Sequence, residues 1–99
     1  MPIASPRYLF TAWSISGAPP DAGVYVLWEA DELIYVGRAL GGEATIQSRL
    51  REHYTRHARP WDATHYGWEL SRDAAAREAE LLREFEAAFH RLPRGNQAA

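Results

Sequence analysis

The sequence predicts a small α+β domain: a three-stranded antiparallel sheet with helices packed on it, in the order strand, strand, helix, strand, helix. Three observations predict it. The runs GVYVLW (23–28) and ELIYVG (32–37) are rich in β-formers and lie a short loop apart. Two apolar stripes at helical spacing follow them, and the alternating run HYGWEL (65–70) sits between those stripes. A length of 99 residues sets one compact domain as the expectation. Residues 23–99 form the domain proper, and residues 1–22 an N-terminal arm or edge segment.

Each element has its own local reason. In the arm, Tyr8, Phe10 and Trp13 show no clear period and are read as an edge strand or a packed arm. Residues 17–22 (GAPPDA) are a breaker cluster and hence a loop. A three-residue hairpin loop over residues 29–31, with Asp31 in the left-handed region, sets Tyr25 opposite Tyr35 and therefore on the same face. Gly41-Gly42 breaks the chain, and Thr45 is the expected N-cap of a first helix. Ile46, Leu50 and Tyr54 give that helix a stripe at spacing four, to about His57, before Pro60. In HYGWEL, Tyr66, Trp68 and Leu70 alternate with His65, Gly67 and Glu69, as in a strand with two different faces. Ser71 is the expected cap of the second helix, with Asp73 in its first turn. Its stripe is Ala74, Leu81, Leu82, Phe85, Ala88 and Phe89, and Pro93 and Gly95 close it.

Composition narrows the chemistry. There are no cysteines, so disulfides and thiolate metal sites are excluded, and a metal must be held by carboxylate, imidazole or amide groups. That donor set favours a hard ion such as Mg²⁺ or Mn²⁺. All eleven basic residues are arginine, so no lysine is available as a general base or Schiff-base amine. No apolar run is long enough to span a bilayer, and the first ten residues lack a signal-peptide layout, so the expectation is no membrane and a cytoplasmic address. The net charge of −2 argues against nucleic acid until its distribution is read. From Arg38 to Arg59, five arginines stand against two glutamates, and the last third of the chain offsets them with Asp73, Glu78, Glu80, Glu84 and Glu86.

The chemistry-bearing residues fall in a recognisable series. Gly23-Val24-Tyr25 and Tyr35-Val36-Gly37 begin and end paired strands, respectively. Arg49 and His53 follow at i and i+4, on one helix face. Glu78 comes next, then Leu81-Leu82, then Asn96. This series resembles the GIY-YIG nucleases over residues 23–96. The resemblance implies a metal-dependent endonuclease acting on DNA phosphodiesters with one Mg²⁺ or Mn²⁺ ion. It implies Tyr25 as general base, with Tyr35 beside it, Glu78 as metal ligand and Asn96 as a group orienting Glu78 or Tyr25.

The residues themselves support those roles in part. Phosphodiester hydrolysis needs a positioned water, a base and cations to take up the transition-state charge. Arg49 can grip a phosphate in bidentate fashion, and His53 can donate to a phosphate oxygen or the leaving oxygen. Gly23 and Gly37 would let a phosphate approach the strands closely. Gly37, Arg38, Arg51 and Arg56 are the candidate nucleic-acid contacts, while His57 and His65 read as surface groups. Glu78 borders the apolar stripe of its helix, whereas Glu80 is on the opposite side. Glu84 competes with Glu78 for the metal, because its spacing to Asn96 also suits some family members. The longer spacing from Glu78 to Asn96, and the lack of lysine near the tyrosines, depart from the family pattern. A second reading keeps the fold and discards catalysis: a module that binds nucleic acid or protein without cutting. Small size and low charge imply weak DNA affinity for a free monomer, which a homodimer or an accessory protein would raise.

Overall fold

The computed structural model describes residues 3–56 and 62–97. The arm contributes β1 (Tyr8–Leu9) and α1 (Ala12–Ile15). There follow β2 (Gly23–Glu29), β3 (Glu32–Ala39), α2 (Ile46–Arg56), β4 (His65–Leu70) and α3 (Ala74–Phe89), and then a 3-10 turn (Arg94–Asn96). The sheet is antiparallel and has four strands in the order β1-β4-β2-β3, one more than expected. The added strand is two residues long, too short to display a period. It exists because Tyr8 pairs with Tyr66 and Leu9 with His65, with the two tyrosine rings 5.4 Å apart. Among the described residues no helix is long and apolar enough to cross a membrane.

Period-two alternation divides the sheet into two apolar faces. On one, Tyr25, Leu27, Tyr66 and Ile34 are buried against Ile46 and Leu50 of α2 and Ile15 of α1. On the other, Val24, Val26 and Val36 are buried against Ala74 and Leu81 of α3. The sheet is therefore sandwiched, with α1 and α2 on one side and α3 on the other.

The hairpin differs from the expected loop in an instructive way. Glu29 pairs with Glu32, so the loop is two residues rather than three, and the residue at positive φ (54°) is Ala30, not Asp31. Alone, that one-residue change would have turned Tyr25 and Tyr35 to opposite faces. A bulge restores the parity. Trp28 pairs with Leu33 but Leu27 pairs with Tyr35, leaving Ile34 as the extra residue. Tyr25 consequently lies opposite Gly37 rather than Tyr35, displaced by two residues, and the two tyrosines still share a face.

Helix caps are also partly relocated. Thr45 caps α2 as expected: its hydroxyl accepts from the Ser48 amide at 3.0 Å, and its own amide donates to the Ser48 hydroxyl at 2.9 Å. The cap of α3 is Asp73, not Ser71. Its carboxylate accepts from the Ala76 amide at 3.1 Å, and Ser71 accepts from the Asp73 amide at 3.2 Å. The helix ends before Pro93, because His90 adopts a left-handed conformation with φ 60°.

Candidate active site

Tyr25 is fully buried, in the middle of β2, and its ring lies across the neighbouring strand. A Cβ built on Gly37 would fall 2.5 Å from the Tyr25 hydroxyl oxygen and 2.7 Å from Cε2 of Tyr35. The missing side chain thus makes room for two tyrosine rings. The expectation that Gly37 admits a phosphate is corrected: the space above it is occupied. Gly23 is likewise needed for packing, since a Cβ there would lie 2.8 Å from Cδ1 of Ile46.

Because the Tyr25 ring covers Gly37, its hydroxyl is carried toward the outer edge of β3, and α2 supplies partners there. The Tyr25 hydroxyl is 2.9 Å from Nε2 of His53. His53 packs against Tyr35 with ring centroids 4.9 Å apart, and the Tyr25 and Tyr35 rings are 6.0 Å apart. Arg49, one turn before His53, is close enough to Tyr25 to act on its ionisation, and its Nη1 donates to Glu52 at 3.3 Å. The two residues share a helix face, so α2 delivers both to the same tyrosine. In the unliganded chain, Nε2 of His53 meets Tyr25.

Burial governs the electrostatics of this cluster. Removal from water pushes the Tyr25 phenol well above its ordinary range, and Tyr35 adds to the effect. Arg49 opposes the shift without cancelling it. The unliganded phenol is therefore neutral. For Arg49, burial opposes the charge, yet Tyr25, Glu52 and Tyr35 together outweigh it and the net shift is upward. Its Nε is buried with no hydrogen-bond partner among the described residues.

Glu78 and Arg38 lie on the opposite face. Arg38 pairs with Val24 and shares its side of the sheet, where Nη1 donates to Oε1 of Glu78 at 3.2 Å. Glu78 is half-buried, with its side chain 19% exposed, as its place beside the apolar stripe implied. Glu80 is exposed and pairs with Arg77. Glu84 lines an apolar groove with Val26 and Phe85 on the same side. The two groups, Tyr25–Tyr35–Arg49–His53 and Arg38–Glu78, lie on opposite faces of the sheet.

Asn96 touches neither Glu78 nor Tyr25, and that expectation is corrected. Its Oδ1 accepts from the Val36 amide and its Nδ2 donates to the Val36 carbonyl, both at 2.8 Å. Its side-chain amide thus takes the place of a fifth strand on the edge of β3. Arg51 is exposed on α2. The side chain of Arg56, and His57 and Arg59, lie outside the described residues. His65 is half-exposed, with Nδ1 2.9 Å from the Thr64 hydroxyl. Sequence reasoning missed the Arg38–Glu78 pair and the strand-capping role of Asn96. Partners 40 and 60 residues apart leave no local signal.

No protein-family model, curated protein or solved structure matches the chain.

Proposed function

We propose that this chain is a GIY-YIG-type endonuclease that hydrolyses DNA phosphodiester bonds with the help of one Mg²⁺ or Mn²⁺ ion. The observation that carries the reading is the 2.9 Å contact between the Tyr25 hydroxyl and His53 Nε2, with Tyr35 and Arg49 around it. Four residues nominated from sequence come together beside the edge strand β3.

The neutral phenol acts through a relay. Tyr25 is enclosed in the unliganded chain, so in this reading substrate binding opens its hydroxyl to a water, which attacks phosphorus in line with the leaving oxygen. That P–O bond breaks, and the released oxygen takes a proton from solvent. As the attacking water's proton moves to the Tyr25 oxygen, the Tyr25 proton moves to Nε2 of His53. His53 is the terminal base, with its neutral-form proton on Nδ1. This route needs no free phenolate, which burial disfavours. Arg49 faces the phosphate and offsets the charge that grows on its oxygens. Tyr35 holds the imidazole plane from the side.

The donor set suits a hard ion held by one carboxylate and water. Glu78 offers a carboxylate on a partly exposed side chain. Its partner Arg38, 46% exposed, is able to turn onto a phosphate when a cation replaces it. Among the described residues no three His, Cys, Asp or Glu side chains cluster. In this reading Glu78 would be the single protein ligand of the ion. When bound, the ion supplies positive charge to the phosphate oxygens.

The binding-module reading is favoured by one observation: the Glu78 carboxylate already has a counter-charge in Arg38. Incubating the purified chain with supercoiled plasmid, with Mg²⁺ or Mn²⁺ and then with chelator, separates the two. Nicking that the chelator abolishes supports the enzyme. A retarded but uncut plasmid supports the module.

A further inference from the structure

The Tyr35 ring is held from two directions, and only one of them belongs to the cluster described above. On its inner side it meets His53 and Tyr25. On its outer side stands the 3-10 turn Arg94–Asn96. A Cβ built on Gly95 would lie 2.8 Å from the Ile34 carbonyl oxygen, 2.9 Å from Cδ1 of Tyr35 and 3.2 Å from its Cβ. The Gly95 backbone therefore forms the wall behind the ring. A fastening on each side keeps that wall in place. Asn96 is bound to both polar groups of Val36, the residue after Tyr35. Arg94 bridges the two carboxylates that close the hairpin, donating from Nη2 to Glu29 at 2.9 Å and from Nε to Glu32 at 3.0 Å. Pro93, just before the turn, is fully buried and accepts from the Asn96 amide at 2.9 Å.

From this geometry we infer that the turn is the positioning element of Tyr35, with Arg94 as its distal anchor and Asn96 as its proximal one. The role of Arg94 is indirect. Its carboxylate partners sit at the hairpin end of β3, and Glu32 is five residues from Gly37, about 16 Å along a strand. Arg94 thus acts on the cluster only through the wall and the ring. The link to turnover rests on the nuclease reading; the link to the ring does not.

The experiment keeps those links apart. Arg94→Ala and Arg94→Lys are compared with the unmodified chain by the NMR shift of the His53 imidazole proton, which the Tyr35 ring current perturbs, and by kcat and KM for plasmid nicking. Arg94 is partly exposed and its partners are surface carboxylates, so both variants should keep the fold, as circular dichroism will check. With Arg94→Ala, the His53 resonance is expected to move toward its position in a Tyr35→Ala chain. The value of kcat should fall about fivefold to tenfold while KM changes less than twofold. Lysine restores one ion pair but not the bidentate bridge, and is expected to fall between. An unmoved His53 resonance overturns the inference, whatever the activity. So does a change confined to KM. If the unmodified chain cuts no DNA, the nuclease reading fails, and the NMR comparison alone decides whether the turn positions Tyr35. If Arg94→Ala does not fold, the double variant Glu29→Gln, Glu32→Gln opens the same clamp from the hairpin side and must give the same shift.

Discussion

Replacing Gly37 by alanine distinguishes two accounts of that glycine. If the bare backbone exists to admit a phosphate, a methyl group there should harm cleavage and leave stability alone. The structure leads to a different outcome. The new Cβ would lie 2.5 Å from the Tyr25 hydroxyl oxygen and 2.7 Å from Tyr35 Cε2. Ordinary contact is about 3.5 Å, so the rings must retreat by about 1 Å. Tyr25 is fully buried among Leu27, Ile34 and Leu50 and has nowhere empty to go. Overpacking of this kind costs about 1–3 kcal/mol. The retreat also disturbs the 2.9 Å hydrogen bond to His53, adding about 1 kcal/mol. The sum, about 2–4 kcal/mol, corresponds to a loss of at least about 8 °C in Tm for a domain of this size. Thermal unfolding followed by circular dichroism measures it. An unchanged Tm in Gly37→Ala would refute the steric argument and return the glycine to substrate access.

Asn96→Ala leaves the Val36 amide and carbonyl without their side-chain partners, and is expected to cost about 1–3 kcal/mol in urea unfolding. A loss below about 0.5 kcal/mol would mean that water replaces the amide freely. The raised Tyr25 pKa carries a sign. Between its unfolded value of about 10 and its higher folded value, the unfolded chain has lost a proton that the folded chain keeps, so stability falls as pH rises, by up to about 1.4 kcal/mol per unit. Tyr25→Phe should flatten that decline between pH 9.5 and about 11, and parallel curves for the two proteins would contradict it. Glu78→Gln keeps size and removes charge, so the fold should survive while metal-dependent cleavage falls by orders of magnitude. Glu80→Gln should cut almost normally, and a Glu84→Gln chain that alone loses activity would move the metal nearly two turns along α3.

Much of the fold was legible because periodicity is local. β4 occupies the residues whose alternation announced it, and α2 begins where Thr45 and its stripe said it would. The shared face of Tyr25 and Tyr35 was reached through a register that is off by two. A shorter loop and a bulge at Ile34 each shifted the pairing by one, and the period of two concealed both. Neither was readable: alanine gives no warning of a positive φ at residue 30, and Ile34 looks like any strand residue. The fourth strand was open between two readings, an edge strand or a packed arm, for a different reason. Tyr8 and Leu9 become a strand only by meeting Tyr66 and His65, more than fifty residues away. At the site, helical phase correctly set Arg49 and His53 on one face, and Glu78 at the border of its stripe. It could not say that Glu78 lies on the far side of the sheet from the tyrosines, or that Arg38 would be its partner. Those facts belong to the packing of α2 and α3 on opposite faces, which no single segment encodes.

The central claim is that the Tyr25–His53–Arg49 cluster cuts DNA, and single-turnover cleavage tests it most directly. The rate of plasmid nicking in Mg²⁺ or Mn²⁺ is compared for the unmodified chain, Tyr25→Phe and Arg49→Ala, each shown to be folded, with a chelator control. The account predicts metal-dependent nicking that falls about 100-fold or more in both variants, as for loss of a proton relay or of a group that stabilises transition-state charge. Nicking that is the same in all three proteins, or that persists in chelator, would contradict it.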